Sequence, residues 1–317
     1  MRNPSDRVRA LRFSLALLVP GVALFFAPPA RAYCRATTCG AVSSAACPLD
    51  ANGCATAGTP LSWSTACLSF AVDQAGSPKR GISYDVFDGV VRLALQQWLA
   101  VDCGGGRHPS IALWDAADFA GSLVCSKAEY NQAAPNANAW ILRDDAWPYT
   151  DTGSEFAHTT VTFDAASGRI LDADVEINSH GVELTTSDDV IVADLQSIAT
   201  HEAGHFLGLA DSADPDATMS RAYSPASRKA RSLSSDDKAA ICALYPPDRD
   251  VPACSDPSPN HGYSRYCAGA TSPPGCALTR AASPPSSSAL LAATGALYWA
   301  SRRRRATRRR CSCGTRP

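Results

Sequence analysis

Methionine and histidine are scarce in this chain of 317 residues. It has two methionines, Met1 and Met219, and six histidines. An excess of charge is also missing, because 29 Lys and Arg oppose 30 Asp and Glu for a formal net charge of −1. A chain without a basic surplus has no general electrostatic partner, so we predict that it does not bind nucleic acid.

Two of the few histidines belong to the most informative motif, HEAGHFLGLAD at residues 201–211. Residues i and i+4 of a helix lie on one face, so His201 and His205 can bind one metal ion, with Glu202 close enough to hold a water. Asp211 is predicted as the third ligand, which leaves one zinc position open, as catalysis requires. The alternative is a solvated helix face that carries two histidines.

A helix is predicted to carry this motif. Residues 185–189 offer capping side chains and negative charge for its start. Apolar residues from Val190 onwards then recur at helical spacing. Gly208 is predicted to end the helix, because glycine accepts the positive φ of a C-terminal turn. That turn would bring Asp211 back towards the histidines.

The motif resembles the metzincin signature HExxHxxGxxH/D, and its surroundings are most similar to the matrixin branch. Pro215 lies in a short acidic stretch after the motif, and Met219 fits the Met-turn, the apolar floor beneath the metal. Residues 241–245 resemble the end of the last matrixin helix. The resemblance implies a zinc endopeptidase in which His201, His205 and Asp211 bind Zn²⁺ and Glu202 is the general base.

The same resemblance implies an α+β fold. It consists of a twisted, mostly parallel sheet with an antiparallel edge strand, a long active-site helix and the Met-turn. Periodicity and alternation independently predict a helix at residues 86–101 and a hairpin of strands 156–163 and 170–177. Further strands are predicted at residues 63–72, 111–114 and 139–142. In matrixins the strand corresponding to 156–163 binds the substrate backbone.

Three features depart from the matrixin pattern. Asp211 stands where matrixins commonly have histidine; a carboxylate is an acceptable zinc ligand, and some bacterial metzincins resemble this variant. Tyr223 lies farther from Met219 than the Met-plus-two tyrosine of other metzincins, so it receives no role. No cysteine-switch propeptide motif is present.

Two features of the hairpin concern other metals. Residues 156–158 resemble the Leu-Ala-His of the matrixin structural zinc, but no other ligands are evident, which favours His158 as an ordinary strand residue. Asp172, Asp174 and Glu176 alternate along one strand and should share a face. That face is either solvated or holds Ca²⁺, since the matrixin family has an acidic calcium-binding run in a similar place.

Ten of the 13 cysteines lie between residues 33 and 267. In an exported chain this even number predicts up to five disulfides, of undetermined connectivity. Cys254 and Cys267 are expected to close a small loop. A second metal site in the Cys34–Cys67 cluster is the alternative, and it lacks the paired CxxC spacing.

The two ends of the chain carry targeting signals. Residues 1–32 have the basic start, apolar core and small-x-small cleavage site of a signal peptide, with a mature start at Tyr33. The alternative is an uncleaved membrane anchor. Pro20 and Gly21 interrupt the apolar core, which disfavours that alternative. At the other end, 12 apolar-leaning residues precede an arginine cluster, fewer than the roughly 20 that span a bilayer.

The C-terminal layout resembles a MYXO-CTERM sorting tail, with Cys276 as the lipid-carrying residue. The alternative is a short membrane helix or a disordered basic tail. We therefore predict a secreted or surface-anchored protein that meets the membrane only through its tail. The predicted segments are the signal peptide 1–32, a Cys-rich segment 33–60, the catalytic domain 61–247, a Pro/Ser-rich linker 248–275 and the tail 276–317.

Three classes of function fit these patterns. The prediction is a monomeric zinc endopeptidase acting on proteins or peptides. The second class is a surface adhesin on a metzincin scaffold, which would have no need of Glu202. The third is a zinc hydrolase that acts on substrates other than peptides. The Met-turn and the matrixin-like flanks favour peptides instead.

Overall fold

The computed structural model describes residues 32–39, 47–149, 155–222 and 224–268. The chain divides into two compact units, Met1–Thr271 and Ser272–Pro317, and the described residues all belong to the first. The predicted signal peptide (apart from its last residue), Tyr223, Cys276 and the tail lie outside the described residues. Within the described ranges, no helix has the length and apolar character needed to cross a membrane.

Nine strands and three α-helices are formed by the described residues. The strands are β1 (Cys34–Arg35), β2 (Cys67–Val72), β3 (Ala112–Asp115), β4 (Ala139–Leu142), β5 (Ala157–Phe163), β6 (Ile170–Ile177), β7 (Leu184–Thr185), β8 (Ala193–Asp194) and β9 (Leu209–Ala210). The helices are α1 (Tyr84–Leu99), α2 (Leu195–Phe206) and α3 (Ser235–Leu244). Short 3₁₀ helices lie at Pro78–Arg80, Ala116–Asp118 and Lys229–Arg231.

The main sheet has five strands in the order β3-β2-β4-β6-β5. Its first four strands are parallel to one another, and β5 pairs antiparallel with β6 at the edge. This mixed, mostly parallel sheet agrees with the predicted α+β class and with its antiparallel edge strand. The hairpin of β5 and β6 was predictable because its alternating pattern and its turn are both local in sequence.

One face of the sheet and the first two helices enclose the main core. Trp140, Val175 and Ile177 on the sheet, Trp98 on α1 and Ile198 on α2 are all buried in one cluster. Each large apolar side chain removed from water contributes roughly 1.5–3 kcal/mol. This packing holds α2 against the sheet beside its edge strand β5.

The predicted element boundaries need three corrections. The active-site helix begins at Leu195 and not near Val190, because β8 pairs with β7 just before it and the Asp194 side chain caps it by accepting the Ser197 N–H. Helix α1 ends at Leu99, before the glycines at 104–106. Strand β2 begins at Cys67 and not at Trp63.

Residues 248–268, part of the predicted extended linker 248–275, are attached to the sheet, and Tyr263 and Cys267 pack against a second buried cluster that contains Ala71, Ala139 and Ile141. Cys254 pairs with Cys67 and Cys267 pairs with Cys125, so these two cysteines do not close a local loop as expected. Backbone hydrogen bonds add to the disulfides: Ser69 N to Pro257 O at 2.7 Å, Val124 N to Arg265 O at 2.8 Å and Asn136 N to Gly262 O at 2.9 Å. We call residues 248–268 the C-terminal strap.

The predicted number of disulfides is confirmed, because all ten cysteines between residues 33 and 267 are paired. The remaining pairs are Cys34–Cys54, Cys39–Cys47 and Cys103–Cys242. The alternative of a second metal site in the N-terminal cysteine cluster is therefore wrong. Cross-links of this kind stabilise chiefly by restricting the unfolded chain.

Candidate metal centre and active-site cleft

Three buried side chains from other parts of the chain hold helix α2 in place. The Trp98 indole N–H donates to the Thr200 carbonyl at 2.8 Å. At the helix end, the Trp63 indole donates to the Phe206 carbonyl at 2.9 Å and the Tyr245 hydroxyl to the Leu207 carbonyl at 2.7 Å. Trp63 and Tyr245 satisfy carbonyls that a helix end leaves without partners, so the end of α2 is fixed.

Gly208 turns the chain directly after the helix, as predicted. Its φ is +101°, and a Cβ there would lie 2.9 Å from the Leu61 carbonyl oxygen. The chain then forms β9, which pairs antiparallel with the N-terminal strand β1. Strand β9 ends one residue before Asp211, so this pairing determines where the Asp211 carboxylate lies.

His201, His205 and Asp211 come together at this point. Asp211 Oδ1 lies 3.6 Å from His201 Nε2 and 3.4 Å from His205 Nε2. One ligand atom from each of the three side chains lies within 4.8 Å of the other two. Two imidazole nitrogens and one carboxylate oxygen are a donor set that zinc accepts in a site with one open position.

Both histidines have an outer partner that fixes the ring. His201 Nδ1 donates to the Thr218 carbonyl at 2.8 Å, and His205 Nδ1 donates to the Leu209 carbonyl at 3.0 Å. Nε2 is therefore the nitrogen of each ring that is turned towards Asp211 and that could bind a metal ion. Outer partners of this kind orient metal ligands and set their tautomer.

The electrostatics of the three groups are strongly linked. Burial, with the adjacent His205, lowers the pKa of His201. Burial also acts to lower the pKa of His205, but the hydrogen bond to Asp211 and the charge of Glu202 outweigh it and raise that pKa to about 9. Burial alone would raise the pKa of Asp211, whereas His205 lowers it. Without a metal, His205 is therefore protonated and Asp211 is ionised. A bound metal ion would displace the proton of His205.

Met219 is fully buried beneath helix α2. A Cβ placed on Gly204 would lie 2.2 Å from Met219 Sδ and 2.9 Å from a ring carbon of Trp98. A side chain at position 204 would therefore collide with the buried side chains of Met219 and Trp98. The sequence singled out Met219, and the structure shows its contact with Gly204.

Asp237 on α3 is a residue that sequence reasoning missed. Its buried carboxylate accepts the N–H of Thr218 at 2.7 Å and the N–H of Met219 at 3.0 Å. It also accepts the Ser234 N–H at 2.8 Å, as part of the capping box of α3. Because Thr218 is also the partner of His201, Asp237 links helix α3 to the metal centre. Residues 234–237 could be recognised as a helix cap from the sequence. The hydrogen bonds of Asp237 to Thr218 and Met219 could not.

Glu202 lies beside the histidines and is buried, with 6% of its surface exposed. Its Oε2 accepts a hydrogen bond of 2.5 Å from the Thr159 hydroxyl on the edge strand β5. Both residues line a cleft of about 900 Å³ that also contains His201, His205 and Asp211. The predicted substrate-binding strand and the predicted catalytic helix therefore face the same cleft.

Asp172, Asp174 and Glu176 are buried. The interpretation of this row as a solvated face is therefore wrong. Asp174 accepts the N–H groups of Ala139 and Glu129, at 2.8 and 2.9 Å. Asp172 Oδ1 has no hydrogen-bond partner among the described residues. Glu176 is held separately, by Arg143 at 3.2 Å and by the Tyr149 hydroxyl.

These contacts do not fit a calcium cage. Calcium takes six to eight oxygen ligands, whereas the carboxylates of Asp174 and Glu176 are engaged by backbone N–H groups, by Arg143 and by Tyr149. Burial, together with the charge of Asp174, raises the pKa of Asp172 to about 9, and burial raises that of Asp174 to about 7. We therefore leave calcium out of the proposed function.

The buried pair predicts a pH dependence of stability. Because the pKa of Asp172 is higher in the folded than in the unfolded chain, its contribution is fully present below the ordinary aspartate pKa and is lost as pH rises towards about 9. Unfolding in urea should show the wild type losing stability relative to Asp172→Asn between pH 5 and pH 9. Stability that rises over this range, or that added calcium increases only in the wild type, would contradict the prediction.

His158 lies on β5 and belongs to no described group of metal ligands. Its Nδ1 lies 3.0 Å from a carboxylate oxygen of Glu155, and its ring stacks on Tyr149 at 3.9 Å between centroids. These contacts are those of a strand residue, as the sequence favoured.

Comparison with known proteins matches part of this chain to one family. Residues 139–246, which include β4 to α3 and the whole candidate centre, match the model of the Matrixin family. Similar curated proteins are Metalloendoproteinase 1-MMP of Arabidopsis thaliana, 36% identical over 85 residues, and Metalloendoproteinase 1 of Glycine max, 36% identical over 102 residues. Metalloendoproteinase 4-MMP of Arabidopsis thaliana is 33% identical over 102 residues.

These alignments cover 27%, 32% and 32% of this chain and 20%, 32% and 28% of the three relatives, in the order named. The chain thus spans at most about a third of the length of the curated relatives that it matches. Over residues 139–246 it is matrixin-like, which supports a metallopeptidase and a metzincin type of fold.

Proposed function

We propose that this chain is a zinc-dependent endopeptidase whose metal ligands are His201, His205 and Asp211. The observation that carries the proposal is the convergence of these three side chains within one cleft, beside the carboxylate of Glu202. The match of the same region to a peptidase family supports it.

The side chains fit zinc. Each histidine uses Nδ1 on a backbone carbonyl, so Nε2 is the nitrogen left for a metal ion, which would displace the proton of His205, and Asp211 Oδ1 lies near both Nε2 atoms. When bound, zinc would polarise the scissile carbonyl and lower the pKa of a water molecule. Met219 is buried against Gly204 of the motif, which supports its proposed role as the apolar floor of the centre.

Glu202 is the proposed general base. Its carboxylate takes the proton of the attacking water and later passes a proton to the leaving amine. The Thr159 hydroxyl engages Oε2, which holds the carboxylate in position and leaves Oε1 to carry the proton. Edge strand β5 has one side without a partner strand from the described residues, so an extended peptide can add to it by backbone hydrogen bonds.

We further propose that the protein works outside the cytoplasm, as a monomer. Five disulfides are typical of exported proteins and support the location outside the cytoplasm. Removal of residues 1–32 and processing at Cys276 stay predictions from the sequence, and mass spectrometry of the secreted protein would test both.

Zinc analysis and casein cleavage by the exported full-length chain test the proposed function. We expect about one zinc per chain, cleavage of casein, loss of activity with a chelator and recovery with added zinc. Asp211→Asn should bind zinc about 10–100-fold more weakly, because a neutral amide replaces the anionic ligand. If Asp211→Asn binds zinc with the affinity of the wild type, Asp211 is not a zinc ligand.

A chain that binds zinc but cleaves no peptide would favour the adhesin alternative.

A further inference from the structure

The cleft contains one permanently charged cation. Of the described residues that line it, only Arg221 is a lysine or arginine. Arg221 follows Ser220, which forms a parallel bridge with Ser212, and Ser212 N donates to Met219 O at 2.6 Å. Its backbone is therefore fixed by the same turn that holds the metal centre, whereas its side chain is 69% exposed.

Among the described residues, the Arg221 guanidinium contacts Asp211 and the turn at Gly53. Its Nε lies 3.5 Å from Asp211 Oδ2, whereas Oδ1 is the oxygen that contacts the histidines. Its Nη2 packs against the turn at Gly53, where an added Cβ would lie 3.7 Å away. Neither terminal nitrogen donates a hydrogen bond to another described residue. The two Nη groups, which form the fork that binds a carboxylate in a bidentate manner, are therefore available.

The charge of Arg221 is only partly balanced in the metal-loaded state. Asp211 is its one ion-pair partner in the described part of the chain, and the proposed function commits the charge of Asp211 to zinc. An exposed ion pair at this distance is itself worth only about 0.2–1 kcal/mol. The guanidinium thus has both free donors and uncompensated charge, directly beside the site of hydrolysis.

We propose that Arg221 is a carboxylate-binding subsite of the cleft, which selects substrates with an anionic group close to the bond that is cut. The group is either the side chain of Asp or Glu or the free C-terminal carboxylate of a peptide. The proposal rests on the proposed function for the statement that the ligand is a peptide. It makes Arg221 a specificity residue, in addition to its contact with Asp211.

Binding and cleavage of labelled octapeptides test the subsite on the zinc-loaded full chain. The peptides carry neutral residues, with Glu or Gln at one position at a time and with either a free or an amidated C-terminus. Fluorescence anisotropy is measured on Glu202→Ala, which cannot complete hydrolysis under the proposed mechanism. The readout is the ratio of the two affinities within each pair, so a general change in binding cancels.

We expect the anionic member of one pair to bind about tenfold more tightly, within the range of charge-assisted hydrogen bonds. Adding Arg221→Gln should bring that ratio close to one, and Arg221→Glu should reverse it and favour a Lys-containing peptide. The position of the responsive pair distinguishes a side-chain carboxylate from the C-terminal one. Arg107→Gln, an exposed arginine outside the cleft, is the control and should keep the ratio.

A ratio that stays the same in Arg221→Gln overturns the subsite, as does the absence of binding by every peptide. Cleavage by the chain with an intact Glu202 is measured on the same peptides. If the binding ratio depends on Arg221 but no peptide is cut, the subsite stands and the proposed peptidase function fails. The two proposals are therefore tested separately.

Discussion

Glu202→Gln is expected to lower kcat/KM for peptide hydrolysis by about 10²–10⁴-fold, the usual contribution of a positioned general base. The substitution removes the proton acceptor but keeps the shape of the side chain. The amide oxygen can still accept the hydrogen bond that Thr159 donates to Oε2. Because Glu202 is not among the three converging ligands, zinc content should stay at the wild-type level. Initial rates and elemental analysis on the same preparations measure both quantities.

Two further variants make the result specific to this carboxylate. Thr159→Val removes the hydrogen bond and not the carboxylate, and we expect a loss of about tenfold, the worth of one hydrogen bond to a charged group. Glu183→Gln removes an exposed carboxylate that pairs with Arg80 outside the cleft, and it should leave the rate unchanged. If Glu202→Gln retains more than a tenth of the activity, another group accepts the proton and the proposed role is wrong.

The candidate centre could be predicted to the extent that its geometry is local. His201 and His205 share a face because a helix repeats every 3.6 residues. Gly208 could be recognised because few other residues tolerate the φ of +101° that it adopts. The pairing of β9 with β1, which places Asp211, joins segments far apart in the chain. No short-range pattern encodes that pairing.

The start of the active-site helix shows why the prediction of its boundary was wrong. Residues 185–189 have good capping side chains, but Asp194 is the cap. Arg231, from a distant part of the chain, pairs with the Asp194 carboxylate, and β7 and β8 pair just before the helix. Tertiary contacts therefore decided between two capping sites that are similar in sequence.

The C-terminal strap shows that amino-acid composition also fails to predict tertiary contacts. Proline and serine in residues 248–268 predicted an extended linker, because such a segment buries little apolar surface of its own. Two disulfides to Cys67 and Cys125 supply the missing stabilisation and hold the strap on the sheet. The cysteines were visible in the sequence, but their partners 187 and 142 residues away were not.

Asp237→Ala is expected to cost about 3–5 kcal/mol of unfolding free energy, the largest effect on stability that we predict for one substitution. It leaves the N–H groups of Thr218, Met219 and Ser234 without their acceptor. Each unsatisfied buried donor costs about 1–3 kcal/mol. The Thr218 carbonyl orients His201, so zinc should also bind more weakly, by about tenfold. Urea unfolding and competition with a chromophoric chelator measure the two effects.

Asp216→Ala is the matched control, because it removes an aspartate from the same turn. Asp216 is exposed and pairs with Lys229 at the surface, an interaction worth at most about 1 kcal/mol. We expect this variant to unfold and to bind zinc nearly as the wild type does. If both substitutions cost about the same, the turn does not depend on the Asp237 carboxylate. If Asp237→Ala lowers stability and leaves zinc affinity intact, α3 supports the fold without positioning His201.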